Sequence, residues 1–352
     1  MNPKPLGNPK LLGAMSVLLA TCLATVPSSA ATQRLVVAGY GGSFEDIMRA
    51  KILPPFAQQH GVEFDYVAGN STNTVARLVA QKSNQQIDVA LLDDGPMYQA
   101  IALGFCAPIE NLPAADLYDA VRYQDDKAVG IGLFATGIMY NRQAFADKGW
   151  AAPTSWEDLK DPKYRGQLVI PPLNNGYGLH TVVHYARAGG GGEKNIDPGF
   201  KTVKQDIAPN VLVWEPSPGK MTELFSSGQA LIAVWGSGRV KSFADTGFPV
   251  GFVYPSDGAY ALISAVCPIA KPTAHPLAQA FVNYLVSPEA QAIMAESYGQ
   301  GPVNRKVAVP ADNPIVPLPI GARAEKLRVI DWDTVNQNRD AWNRRWSREI
   351  ER

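Results

Sequence analysis

Two acids stand side by side at Asp93 and Asp94, directly after the apolar run IDVALL, and one arginine, Arg239, closes the stretch VWGSGR. A carboxylate of this kind neutralises an ammonium group, while a guanidinium grips a carboxylate or phosphate through two parallel hydrogen bonds. Other residues in similar loops could line a site for a small polar solute. They are Tyr40, Gly41 and Ser43 in GYGGS, Asn70 and Ser71 in AGNSTN, Thr136, Asn175 and Tyr177, Trp214 and Glu215, Trp235 and Ser237, and Tyr260. Short hydroxyl and amide side chains at helix starts hydrogen-bond a ligand as readily as they cap a helix. Aromatic rings at strand ends stack on a ligand or pack the core, and two or three of these five are expected at the ligand. Asp257 in PSDG reads as a turn residue.

Other chemistries fit less well. Gly39, Gly41 and Gly42 resemble a dinucleotide-binding turn, with Glu63 or Asp65 near the place of a ribose-binding acid. Phe44 then occupies the position where a third glycine would let helix and strand pack closely. His180 and His184 are spaced as a helical metal pair, yet HTVVH lacks the glutamate of a zinc protease and no third ligand follows. No G-x-S-x-G elbow occurs, so a secreted enzyme is the rival reading with least support. No cofactor or metal is expected. Lys and Arg number 32, as do Asp and Glu, and the balance argues against nucleic acid as a partner.

These residues need a frame to bring them together. Apolar segments at 34–38, 62–67 and 87–92 alternate with helical patterns beginning near Ser43, at 71–82 and at 96–103. Such alternation predicts an α/β fold with a mainly parallel sheet covered by helices, in which ligands bind beyond the carboxyl ends of the strands. That rule gathers the loops 40–43, 69–73 and 93–96 on one edge. A second alternating block follows from 130, with a strand expected to break at Thr136 and Gly137. Later come strands before Trp214 and Trp235, two strands around PSDG, and a helix pair from 276 to 298. The chain is expected to leave a first lobe near Ile109 and return near Ser264, giving lobes of 31–109 plus 264–308 and 110–263 plus 309–352.

The first thirty residues read as an export signal. Lys4 and Lys10 precede an uncharged apolar run that ends in PSSAA, too short for a membrane span. A periplasmic protein is expected, with a lipoprotein cysteine at Cys22 as the second reading, since Thr21 is unusual before such a cysteine. Cleavage would leave Cys106 and Cys267, either as one bridge or as two buried thiols.

The stretches PTSWEDLKDPKYRGQLVI, VWGSGR, VYPSDGA, VNYLVSPEAQAIMAESYGQGPVNR and IDWDTVNQNRDAWNRRWSREI resemble family 1 extracellular solute-binding proteins of bacterial ABC transporters, in the branch that contains the spermidine/putrescine-binding proteins. The resemblance implies a two-lobed, type II periplasmic binding protein with a hinge between its lobes. It would act as a monomer that closes on a small molecule and docks on an ABC transporter permease in the inner membrane. It also implies that Cys106 and Cys267 lie on strands beside the crossings, where a disulfide is allowed. Two acids that polyamine binders use are replaced, by Ala261, Leu262 and Ile263 at one position and by Leu173, Asn174, Asn175 and Tyr177 at the other. Arg239 adds a cation, so the residues favour a solute with an anionic group over a polyamine. Ferric-ion carriers of the same architecture are marked by adjacent tyrosines in the second lobe, which are missing here.

Overall fold

The computed structural model describes residues 33–309 and 315–351, with the Ser43 side chain excepted. The expected signal sequence and Cys22 lie outside the described residues. β1 (Gln33–Tyr40) leads through the glycine turn into α1 (Ser43–Ile47), which continues by a π turn into α2 (Leu53–His60). Gly42 makes that entry at φ 67°, a left-handed conformation in which a side chain is strained. Phe44, Met48, Ile52 and Phe56 form the buried face of this helical run. β2 (Val62–Gly69), α3 (Ser71–Ala80), β3 (Val89–Asp93) and α4 (Asp94–Ala102) follow. β2 points Glu63 and Asp65 outward, as an edge strand should, whereas Val89–Leu92 of β3 are all buried in the sheet's interior.

Residues 105–128 run without a strand beside the segment 268–304. Ala107 N–H donates to the Pro268 carbonyl at 2.9 Å and Tyr118 N–H to Val303 at 3.1 Å. β4 (Val129–Asn141), α5 (Arg142–Asp147), β5 (Leu168–Ile170), α6 (Gly176–Ala188) and α7 (Asp197–Thr202) come next. They are followed by β6 (Val211–Trp214), α8 (Pro218–Ser226), β7 (Ile232–Gly236), α9 (Ser237–Ala244), β8 (Val250–Val253) and β9 (Tyr260–Pro268). The chain ends through α10 (Ala278–Leu285), α11 (Pro288–Tyr298), α12 (Ala322–Glu325) and α13 (Trp332–Glu349).

The strands order as β2-β1-β3-β9-β4-β7-β5-β6, with β8 added on β4. Both ends are parallel, β1 with β2 and β3, and β5 with β6 and β7. The middle is antiparallel, because β9 pairs with β3 and β4, and β4 with β7 and β8. The break expected at Thr136 and Gly137 does not occur: β4 is continuous over 13 residues. What changes there is its partner. Thr136 is opposite both Tyr260 of β9 and Gly236 of β7, and beyond it β4 belongs to β7 and β8.

Two buried clusters form the core, the first running along β4 on both sides of Thr136. One is built around β1, β3, α1, α10 and α11, the other around Trp156, Tyr164, β5, α6 and α7. α13 joins them. Its first residue, Trp332, donates its indole N–H to Asp94 of α4 at 3.0 Å, while Trp346 near its end meets Trp214 of β6 with ring centroids 4.8 Å apart. Cys106 and Cys267 form a disulfide with Cα atoms 5.6 Å apart, tying the start of the 105–128 segment to β9.

Candidate functional site

A cavity of about 390 Å³ opens where α1, α3, β3 and α9 converge. Tyr40, Gly41, Gly42 and Phe44 line it from the first glycine turn, and Gly69, Asn70 and Ser71 from the second. The two turns are held together by Gly41 N–H donating to the Gly69 carbonyl at 3.0 Å. Asn70 caps α3 by accepting from Asn73 N–H at 2.8 Å, so its carbonyl oxygen is already engaged.

Asp93 sits at the N-cap position of α4, but its side chain makes no capping hydrogen bond. Its carboxylate accepts instead from the Ser71 hydroxyl at 2.9 Å, and Ser71 Oγ accepts in turn from Asp93 N–H at 3.0 Å. This reciprocal pair aims the acid at the cavity. Burial raises the Asp93 pKa, opposed by Ser71, Tyr40 and the more distant charge of Arg239. The buried Tyr40 hydroxyl is oriented toward Asp93 and Ser264 without completing a hydrogen bond within the chain. Burial, then the Asp93 charge, pushes the Tyr40 pKa well above the ordinary phenol value.

The rest of the lining comes from β4, α6, α9, β9 and α11 through Phe134, Tyr177, Gly238, Arg239, Ser242, Leu262, Tyr298 and Ser264, the last opposite Asp93 in the β3–β9 pair. α9 is set against β4 by Ser237, whose buried Oγ accepts from Ala135 N–H at 3.0 Å. Its first turn therefore presents backbone N–H groups and Arg239 together, a favourable arrangement for an anion. Arg239 is exposed, and among the described residues neither it nor Asp93 has an oppositely charged partner within ion-pair distance. Burial raises the Tyr177 pKa to about 12 and the Arg239 charge pulls it back.

Seven of the residues singled out from the sequence line this cavity: Tyr40, Gly41, Asn70, Ser71, Asp93, Tyr177 and Arg239. The Ser43 side chain lies outside the described residues, and the other eight are engaged elsewhere. Asp94 turns to Trp332, Thr136 is fully buried with its hydroxyl 2.7 Å from His180 Nδ1, and Ser237 supports α9 from beneath. Asn175 caps α6 by accepting from Tyr177 N–H, and Glu215 accepts from Ser217 N–H. Trp214 packs on Trp346, Trp235 backs Tyr177 at 5.0 Å, and Tyr260 stacks on His180 at 5.4 Å. His184 is 3.5 Å from Asp257 rather than aimed at a shared point with His180. His180 is held neutral, its pKa lowered to about 3 chiefly by burial.

Phe134, Ser264 and Tyr298 were not anticipated as lining residues, and Leu262 was named only among the neutral residues at a position where polyamine binders carry an acid. They come from the two long antiparallel strands and from the end of α11, where no glycine or helix-start signal marks them. Ser242 was legible in principle, since it lies one helical turn beyond Arg239.

Known proteins share this architecture. A crystal structure of an ABC transporter protein from Clostridium perfringens superimposes with a TM-score of 0.79 at 25% identity, covering 90% of this chain and 99% of that one. The periplasmic binding protein AfuA from Actinobacillus pleuropneumoniae, with fructose-6-phosphate bound, gives a TM-score of 0.70 at 20% identity over 91% of this chain and 99% of its own. Iron uptake protein A1 of Synechocystis is 24% identical over 70% of each chain. The architecture is therefore that of a two-lobed periplasmic binding protein, a fold whose relatives here serve ABC transporters as binding proteins and not as enzymes. Residues 51–317 match the bacterial extracellular solute-binding protein family, and the chain belongs to it, as an extracytoplasmic solute-binding protein of an ABC transporter.

Proposed function

We propose that this protein captures a small polar organic solute bearing an anionic group in the cavity lined by Asp93 and Arg239, and delivers it to its permease as a periplasmic monomer. The observation that carries the reading is Arg239, which lines the cavity beside the first turn of α9 and has no ion-pair partner among the described residues. An arginine in that position repels a dication and binds a carboxylate or phosphate. Among similar proteins, AfuA holds fructose-6-phosphate and the Synechocystis protein is an iron uptake protein.

A polyamine remains the second reading, supported by Asp93 and by the rings of Phe134, Tyr177 and Tyr298. A diamine needs an acid at each end, yet Asp93 is the one acid lining the cavity among the described residues. Leu262 lies where one of the family's polyamine-binding acids would stand, and Glu215 is occupied by Ser217 outside the cavity.

We assign the lobes by hydrogen bonding. Residues 33–128 and 264–304 form the first, with 105–128 included because Ala107 and Tyr118 bond to Pro268 and Val303. The outward crossing is then on β4 between Val129 and Thr136, later than Ile109, and the return on the stretch of β9 paired with it, Tyr260–Val266. Residues 1–30 serve as the export signal.

Calorimetric titration of protein lacking residues 1–30 tests the ligand reading against spermidine, putrescine, amino acids, opines, aromatic acids and sugar phosphates. An anionic compound should bind, and Arg239→Ala should weaken it. Micromolar binding of spermidine undiminished by Arg239→Ala would give the cavity the opposite charge preference.

A further inference from the structure

We propose that the solute is a zwitterion, with an ammonium group seated at Asp93 and an anionic group at Arg239. This deepens the anionic-solute reading and rests on it. Asp93 and Arg239 line the same cavity, yet the structure leaves them without an ion pair to each other or to any described residue. Opposite charges held apart across a cleft are each incompletely satisfied, and a ligand with the reverse charges at its two ends satisfies both at once.

Asp93 is built for an ammonium in particular. Its helix-cap position goes unused, and Ser71 fixes one carboxylate oxygen. The buried Tyr40 hydroxyl stands beside it without a hydrogen bond, a polar atom that an ammonium or its neighbouring group can engage. A simple anion leaves this half of the cavity empty and brings like charge toward a carboxylate in a partly buried site. A dication has the same difficulty at Arg239. Tyr177 and Tyr298 lie within the electrostatic reach of both groups, since the Arg239 charge lowers the pKa of each and the Asp93 charge raises it. They supply an aromatic wall for the uncharged middle of such a molecule.

The test uses the signal-free protein and a calorimetric panel of α-amino acids and linear ω-amino acids. The tightest binder is then compared with its deaminated and decarboxylated counterparts. Loss of either charge is expected to weaken binding by about tenfold or more. Asp93→Asn should erase the preference for the amine while the deaminated compound binds at least as tightly as before, and Arg239→Gln should erase the preference for the carboxylate. The comparison among ligands needs only the unmodified protein, so it stands even if a variant fails to fold. A deaminated counterpart that binds as tightly as the parent overturns the zwitterion and leaves the anionic-solute reading intact. A diamine that binds more tightly than any zwitterion overturns both. A panel in which no zwitterion binds while a carboxylate or phosphate without an amine does would also overturn this inference alone.

Discussion

The Trp332 indole donates its N–H to the Asp94 carboxyl at 3.0 Å, joining the first residue of α13 to the first residue of α4 across 238 positions of sequence. Gly95 makes room for the contact, since a Cβ there would meet the Trp332 ring at 2.8 Å, and Asn336 adds a bond to the Gly95 carbonyl at 3.1 Å. The other oxygen of Asp94 is buried without a partner. Trp332→Phe removes the donor together with one of the two fused rings, leaving a buried acceptor without its bond and a small void. The expected loss is about 1–3 kcal/mol in urea unfolding. An unchanged midpoint would mean that the bond adds nothing over solvent.

Asp94 also predicts how stability depends on pH. Burial, then the neighbouring Asp93 charge, raises its pKa to about 8, against the Trp332 hydrogen bond that lowers it. Arg339, Tyr98 and Tyr123 also sense its charge. The folded state thus holds a proton that the unfolded state releases near the ordinary aspartate value of about 3.9. Stability from this group is full below that value and is lost progressively as pH rises toward 8. Asp94→Asn, which can still accept from Trp332, should be more stable than the parent at pH near 8 and equal to it near pH 4. Parallel melting curves across that range would refute the assignment.

The Cys106–Cys267 disulfide closes a loop spanning 161 positions. Bridges over loops of this length contribute about 2–5 kcal/mol, chiefly by restricting the unfolded chain. The double variant Cys106→Ala and Cys267→Ala should lose that much and cease to respond to reductant. Alkylation of unreduced, denatured protein followed by mass spectrometry should modify neither cysteine. Two labelled thiols would contradict the bridge.

The half of the cavity formed by Tyr40, Ser71 and Asp93 was legible because glycine turns and helix starts at the ends of parallel strands announce a crevice. The other half depends on β4 and β9, whose antiparallel pairing is a tertiary fact with no local signature. Phe134 and Ser264 read as ordinary strand residues, and Tyr298 as the end of an amphipathic helix. Trp214 and Tyr260 are not among the residues lining the cavity. Both lie at strand ends, but α13 covers Trp214 through Trp346, and α6 covers Tyr260 through His180. Thr136 and Gly137 looked like a break because small residues weaken strands. They instead mark the place where β4 changes partners, with Thr136 tied to His180 and Gly137 closely faced by Phe252 and the Val253 carbonyl.

We propose that the protein bends at this change of partners. Below Thr136, β4 is paired to β9, which is itself paired to β3; above it, β4 is paired to β7 and β8. A rotation there would bring Asp93 toward Arg239, each half of β4 moving with its own partners. α13 bridges the two sides, anchored to α4 at Trp332 and to β6 at Trp346. Ligand that bridges Asp93 and Arg239 should therefore favour the closed arrangement through contacts that the open one lacks. Small-angle scattering of the signal-free protein should give a smaller radius of gyration at saturating ligand than without it. Arg239→Ala at saturating ligand should retain more of the open form's radius. A radius unchanged when calorimetry shows the cavity filled would exclude closure about β4 and β9 and would make the binding a rigid capture.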